Sequence, residues 1–183
     1  MFSYRITKDK SMDIEEKRQK IVQFIRQNAG NKPAVLGLSG GLDSSTLAFL
    51  AVEALGKENV HGLILPSSTN TEKEVEQATH IAKITNLQSL VTDIDSILRS
   101  YTQSTDYFSN VKVLGNLKAR VRMSLLYGKA NQINGLVLGT GNKTELSIGY
   151  FTKYGDGGCD LLPLGDLYKI EVKELARHIG VPG

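Results

Sequence analysis

The sequence predicts an α/β fold, a doubly wound and mostly parallel sheet with helices on both faces. Three observations carry this. Short apolar runs closed by Gly or Pro alternate along the chain with amphipathic helix patterns. The runs carry little polar alternation, as expected for strands covered on both faces. A Gly-Gly string sits where the first such run passes into the next helix. In such sheets, ligands bind at the carboxyl ends of the strands.

The elements follow in order. Ser11-Met-Asp-Ile-Glu-Glu opens a helix, with Asp13 as cap and Glu16 as its capping-box partner. Ile14, Ile21, Val22 and Ile25 share one face, and Gly30 closes the helix. Pro33 releases the chain into the strand 34–38. A helix over 44–55 ends at Gly56, and a second strand over 60–65 stops at Pro66. The box Thr71 to Glu74 starts a helix running to about Thr85. Residues 90–92 form a third strand, and 96–105 read as helical. A long helix spans 116–134 and ends at Gly135. Residues 136–138 make a fourth strand, 150–160 a Gly-rich loop, and 168–179 a final helix before Gly180 and Pro182.

Composition narrows the function. The 183 residues are 40% hydrophobic, enough for one domain with a real core, and they carry a formal charge of +3. That charge is far below the basic balance of a dedicated nucleic-acid binder, yet it suits an anionic small molecule. The single cysteine, Cys159, excludes an internal disulfide framework and a cysteine-rich metal site, which fits a reducing cytoplasm. No stretch approaches the ~20 apolar residues of a membrane span. The polar N-terminus, Met1 to Asp13, holds no signal-peptide core, and the chain holds no repeat.

The string Gly37-Leu38-Ser39-Gly40-Gly41-Leu42-Asp43-Ser44 joins the first strand to a helix start. Adjacent glycines let backbone approach a phosphate, and the free N–H groups of the helix start and its dipole attract anions. Asp43 would repel phosphate unless a cation lay between them, so it implies Mg²⁺. There is no Gly-Lys-Ser/Thr, so this is not the lysine-bearing loop of kinases and GTPases, and Gly-x-Gly-x-x-Gly is absent. The string resembles the pyrophosphate-binding loop of the N-type ATP pyrophosphatases. That group cleaves ATP between the α- and β-phosphates.

The loop alone leaves several of those enzymes open. Downstream lie Leu138-Gly-Thr-Gly-Asn-Lys-Thr-Glu145, Phe151-Thr-Lys-Tyr-Gly-Asp-Gly-Gly158 and Leu167-Tyr-Lys169, with Asn116-Leu-Lys-Ala-Arg-Val-Arg-Met123 upstream. Together with the loop, from about Asp13 to the last residue, the chain resembles the NAD synthetase family.

The resemblance implies an adenine nucleotide α-hydrolase-like fold. It implies ATP contacts from Gly37 to Ser44, Thr140 and Lys169, and Mg²⁺ binding by Asp43 and Glu145. Arg120, Lys153 and Asp160 would contact nicotinic acid adenine dinucleotide (deamido-NAD). Each residue has a plainer reading alone: Thr140 a helix cap, Glu145 a partner of a helix dipole, Arg120, Lys153 and Lys169 solvated charges, Asp160 a turn residue. No side-chain nucleophile is expected, and Cys159 has no base beside it in sequence. His61, His80 and His178 are scattered.

The implied reaction is ATP-dependent amidation of deamido-NAD with ammonia, the last step of NAD biosynthesis, in a cytoplasmic homodimer. The long helix is the candidate for the dimer contact, and the Gly-rich loop a candidate lid. A glutamine-using form needs a further domain, and no room for one precedes the core. The family pattern runs on past Gly183, so residues 1–183 read as one ATP pyrophosphatase domain short of the family's C-terminal segment. Other readings from the loop are a nucleotide amidase, a tRNA sulfur transferase or an ATP-binding module without catalysis. The low charge and single cysteine argue against the tRNA enzyme.

Overall fold

The computed structural model describes residues 12–182; the predicted roles of Ser11 and of the polar N-terminus fall largely outside them. Its centre is a four-stranded sheet in the order β3-β2-β1-β4, with every neighbouring pair parallel. The strands are β1 (Ala34–Gly37), β2 (Val60–Ile64), β3 (Gln88–Val91) and β4 (Leu136–Leu138). Register is set by Ala34 facing Val60 on one side and Leu136 on the other.

Alternation along β1 divides the core into two layers. Leu36 packs with Ile21, Ile25, Leu47 and Leu50, from helices α1 (Ile14–Ala29) and α2 (Leu42–Leu55). The helices α3 (Glu72–Thr85) and α7 (Lys169–His178) complete that side. Val35 points the other way, into a layer with Leu98 of α4 (Asp95–Ser104) and Leu117, Val121 and Leu126 of α5 (Val111–Gln132). The doubly wound reading therefore holds. Among the described strands β3 departs most from full cover: at one edge of the sheet it leaves Leu90 and Val91 about half exposed.

Caps explain where the boundaries differ from the sequence reading. α2 begins at Leu42 rather than Ser44, because Gly41 takes the extended N-cap conformation (φ −79°, ψ 162°). α5 begins at Val111 rather than Asn116, since the Asn110 side chain accepts hydrogen bonds from Lys112 N and Val113 N. A short helix, α6 (Lys143–Ile148), follows β4; the plainer readings of Thr140 and Glu145 presume a helix start here, and the cap is Asn142. Its signal was present as Asn142-x-x-Glu145, a full capping box in which each side chain meets the other residue's backbone N–H at 3.1 Å. Asp13 caps α1 through Glu16 N at 2.8 Å.

Candidate active site at the carboxyl end of the sheet

The β1–α2 loop is folded on its own hydroxyls. Ser39 and Ser44 exchange a hydrogen bond at 3.0 Å, and Gly41 N donates to Ser39 Oγ at 3.2 Å. Ser44 and Ser45 both donate to the Gly41 carbonyl, at 3.0 and 2.8 Å. No side chain caps the first turn of α2, so its N–H groups face outward with the helix dipole behind them. Gly40 is required for a second reason. Its φ is +78°, and a Cβ there would lie 2.5 Å from the Glu74 carbonyl, so α3 can approach the loop only over a glycine.

Two cavities meet above this loop. The smaller, about 200 Å³, is lined by Ser39, Asp43, Ser44, Thr140, Glu145 and Asp156, among others. The larger, about 390 Å³, runs from Gly37, Leu38 and Thr140 across the apolar ends of β2 to α3 and α5. Ser39, Thr140 and Asp156 border both. The smaller is the more polar of the two and the larger is mainly apolar, which suits a polyphosphate joined to a nucleoside.

Asp43 lies in the first turn of α2, and its Oδ2 forms an ion pair with Lys169 Nζ from the first turn of α7. Lys169 is held there by its own backbone N–H, which donates to Thr144 Oγ1 at 3.0 Å. Asp43 Oδ1 is buried without a hydrogen-bond partner among the described residues. An orphaned carboxylate oxygen and Glu145, lining one chamber, are the kind of donors that could hold a hard cation. No group of three His, Cys, Asp or Glu suited to a metal occurs among the described residues. His178 instead pairs with Glu15 at 2.9 Å.

The remaining sequence-selected residues, Arg120, Lys153 and Asp160, line neither cavity. Arg120 is exposed, and its Nε donates to the Lys153 carbonyl at 3.2 Å, so these two are brought together. Asp160 turns inward: its carboxylate accepts from Val137 N at 2.8 Å and from Tyr127 Oη at 3.2 Å. Neither cavity includes it. Burial, the Asp160 charge and that hydrogen bond push the Tyr127 phenol up to about 12. Burial and Asp160 also raise the Cys159 thiol, which stays protonated at neutral pH.

The Gly-rich span is docked rather than loose. Thr152 N donates to Asp156 Oδ1 at 2.9 Å, and Gly157 N and Gly155 N donate to the Thr152 carbonyl. Thr152 Oγ1 meets Asn116 Oδ1 of α5 at 2.9 Å, and Gly155 is buried so close to Ala119 that a Cβ would approach it to 2.8 Å. This packing carries Asp156 to the junction of the cavities. The sequence reading quoted Asp156 within its motif but gave it no role. The motif alone gives Arg122 no role either, and Arg122 lines the larger cavity.

The NAD synthase family model matches residues 14–183. The NH(3)-dependent NAD(+) synthetase of Methanococcoides burtonii is 45% identical over 176 residues, covering 93% of this chain and 67% of that protein. Among solved structures, the NMN synthetase of Francisella tularensis superposes with a TM-score of 0.90 at 37% identity, covering 94% of this chain and 73% of the other. The NH3-dependent NAD synthetase from Campylobacter jejuni, in complex with the nitrate ion, gives 0.88 at 39%, covering 93% and 75%.

Proposed function

The chain belongs to the NAD synthase family, and on that premise we infer that it joins ammonia to deamido-NAD at the expense of ATP, yielding NAD, AMP and pyrophosphate. The observation that supports this reading most is the pairing of cavities: a polar chamber at the β1–α2 loop adjoins a larger, mainly apolar one. ATP laid across that junction would put its phosphates on the loop and its nucleoside over the ends of β2.

The chemistry asks for positioning and charge neutralisation. A carboxylate resists an amine until one of its oxygens becomes a good leaving group. The nicotinate oxygen attacks the α-phosphorus, and the α–β bridging oxygen leaves with pyrophosphate. Ammonia then attacks the carbonyl carbon, a proton is lost to solvent, and AMP departs with the former carboxylate oxygen. The loop N–H groups and Ser39 and Ser44 would hold the departing pyrophosphate. Lys169, paired with Asp43, would exchange that partner for phosphate oxygens. Thr140, at the shared border, would contact ATP. Asp43 and Glu145 would hold Mg²⁺, which when bound screens phosphate charge from these carboxylates. Arg120 and Lys153 would meet the dinucleotide beside the docked Gly-rich span. Asp160 was grouped with them in sequence, and its hydrogen bonds favour an indirect part, fixing the end of that span against β4.

A homodimer in the cytoplasm, built as one such domain, completes the proposal; no described helix is long and apolar enough to cross a membrane. The test is pyrophosphate–ATP exchange and NAD formation with ammonia. The likeness to an NMN synthetase makes nicotinate mononucleotide the comparator acceptor. Exchange driven by deamido-NAD supports the reading, and exchange driven only by the mononucleotide or by neither overturns it. Sedimentation at micromolar concentration checks the dimer.

A further inference from the structure

The wall of the larger cavity opposite the phosphate loop is the β2–α3 connection, and two bases of α5 hold it. Lys118 Nζ donates to Thr69 Oγ1 at 2.8 Å. One turn on, Arg122 Nε donates to the Leu65 carbonyl at 2.9 Å and Nη2 to Asn70 Oδ1 at 3.1 Å. The same Asn70 oxygen accepts from Ser67 N at 3.0 Å and from Ser67 Oγ at 3.2 Å. One planar guanidinium thus ties the end of β2 to the hub of the loop after it. Leu65, Asn70 and Arg122 all line the cavity.

This arrangement is costly in isolation. Burial disfavours the Arg122 charge and lowers its pKa, and the pull of Glu74 offsets that only partly. No described carboxylate makes an ion pair with it. A desolvated guanidinium satisfied by a carbonyl and an amide gives geometry more than stability. The fork fixes two acceptors at a set separation, which a single-point cation does not do.

We infer that Arg122 is a positioning residue for the nucleoside end of the ATP site, acting through Leu65 O and Asn70 rather than by touching the reacting atoms. The inference rests on reading this cavity as the ATP site. Loosening the wall weakens ATP binding and leaves the dinucleotide alone, since Arg120 and Lys153 lie on the Gly-rich side of α5.

The test is ATP affinity by calorimetry with Mg²⁺, alongside steady-state kinetics. Arg122→Gln raises Kd and KM for ATP about tenfold, with kcat at saturating ATP and KM for deamido-NAD near wild type. Asn70→Ala, at a half-buried loop position, gives a similar loss, and the double variant loses no more than either single one. Arg122→Lys recovers part of the affinity by reaching one acceptor. If Arg122→Gln does not fold, Asn70→Ala carries the test. An unchanged ATP affinity in Asn70→Ala overturns the inference, as does an equal loss for ATP and dinucleotide. A wild-type protein that binds ATP but forms no NAD overturns the functional reading and leaves this one standing, because the readout is ATP affinity.

Discussion

Asp43 shows what a single residue can disclose. In the sequence it was the one member of the loop that phosphate would repel, so it called for a cation. In the structure one of its oxygens pairs with Lys169 and the other is buried without a hydrogen-bond partner among the described residues. Asp43→Asn removes the charge at nearly constant shape. We expect a loss of kcat/KM of about a hundredfold or more, with an unchanged melting temperature, read from initial rates across a Mg²⁺ series. A fall in melting temperature together with normal kinetics would point to a structural carboxylate instead. Arg120 and Arg122 show the opposite case. Residues two apart on a helix point roughly 200° from each other, so only one of the pair can enter a given cavity. The sequence motif contains both and does not say which. Tertiary packing decides it, by seating Leu126 under Gly37 and so fixing the roll of α5.

At the scale of elements, the strands and most helices were legible because their punctuation is local: Gly30, Pro33, Gly56, Pro66 and Gly135 each close or release a segment. What escaped was capping by Asn. Asn110 and Asn142 start helices that the hydrophobic pattern places late or omits. The Gly-rich span was legible as a loop but not as a docked one, because its anchors, Asn116, Ala119 and Arg120, lie more than thirty residues away. Its end is fixed by Asp160, a half-buried carboxylate bonded to the backbone of β4. Asp160→Ala should destabilise the protein by about 1–3 kcal/mol in urea unfolding, by leaving Val137 N and Tyr127 Oη without their acceptor. A variant as stable as wild type but weak for deamido-NAD would return Asp160 to direct ligand contact. Gly155→Ala drives a methyl into Ala119 and should undock the span, seen as faster proteolysis within residues 150–160 with the sheet core intact.

For the whole molecule, acidity acts in two windows. His61, on β2, is held below its ordinary 6.5 by burial and by Lys129, so the unfolded chain binds the proton more readily. Its contribution is complete above pH 6.5 and declines as pH falls below that value. For Glu171, burial raises the carboxyl, but hydrogen bonds from Lys17 and Tyr168 N prevail and lower it. Its contribution is complete above 4.5 and is lost on further acidification. Melting temperature should therefore fall in two stages, and His61→Gln should flatten the upper one; a profile identical to wild type would show that His61 takes no part.

Lys169 and Asp43 satisfy one another's charge. On the proposed function, a lone divalent ion at Asp43 would set its charge beside the paired Lys169 ammonium and be repelled by it. An ion that arrives already carrying polyphosphate brings the ammonium a new partner in the same event. On the proposed function the loop would thus behave as a two-key lock. Metal titrated alone should bind weakly, metal titrated with ATP should bind tightly, and Lys169→Met should narrow the gap between them.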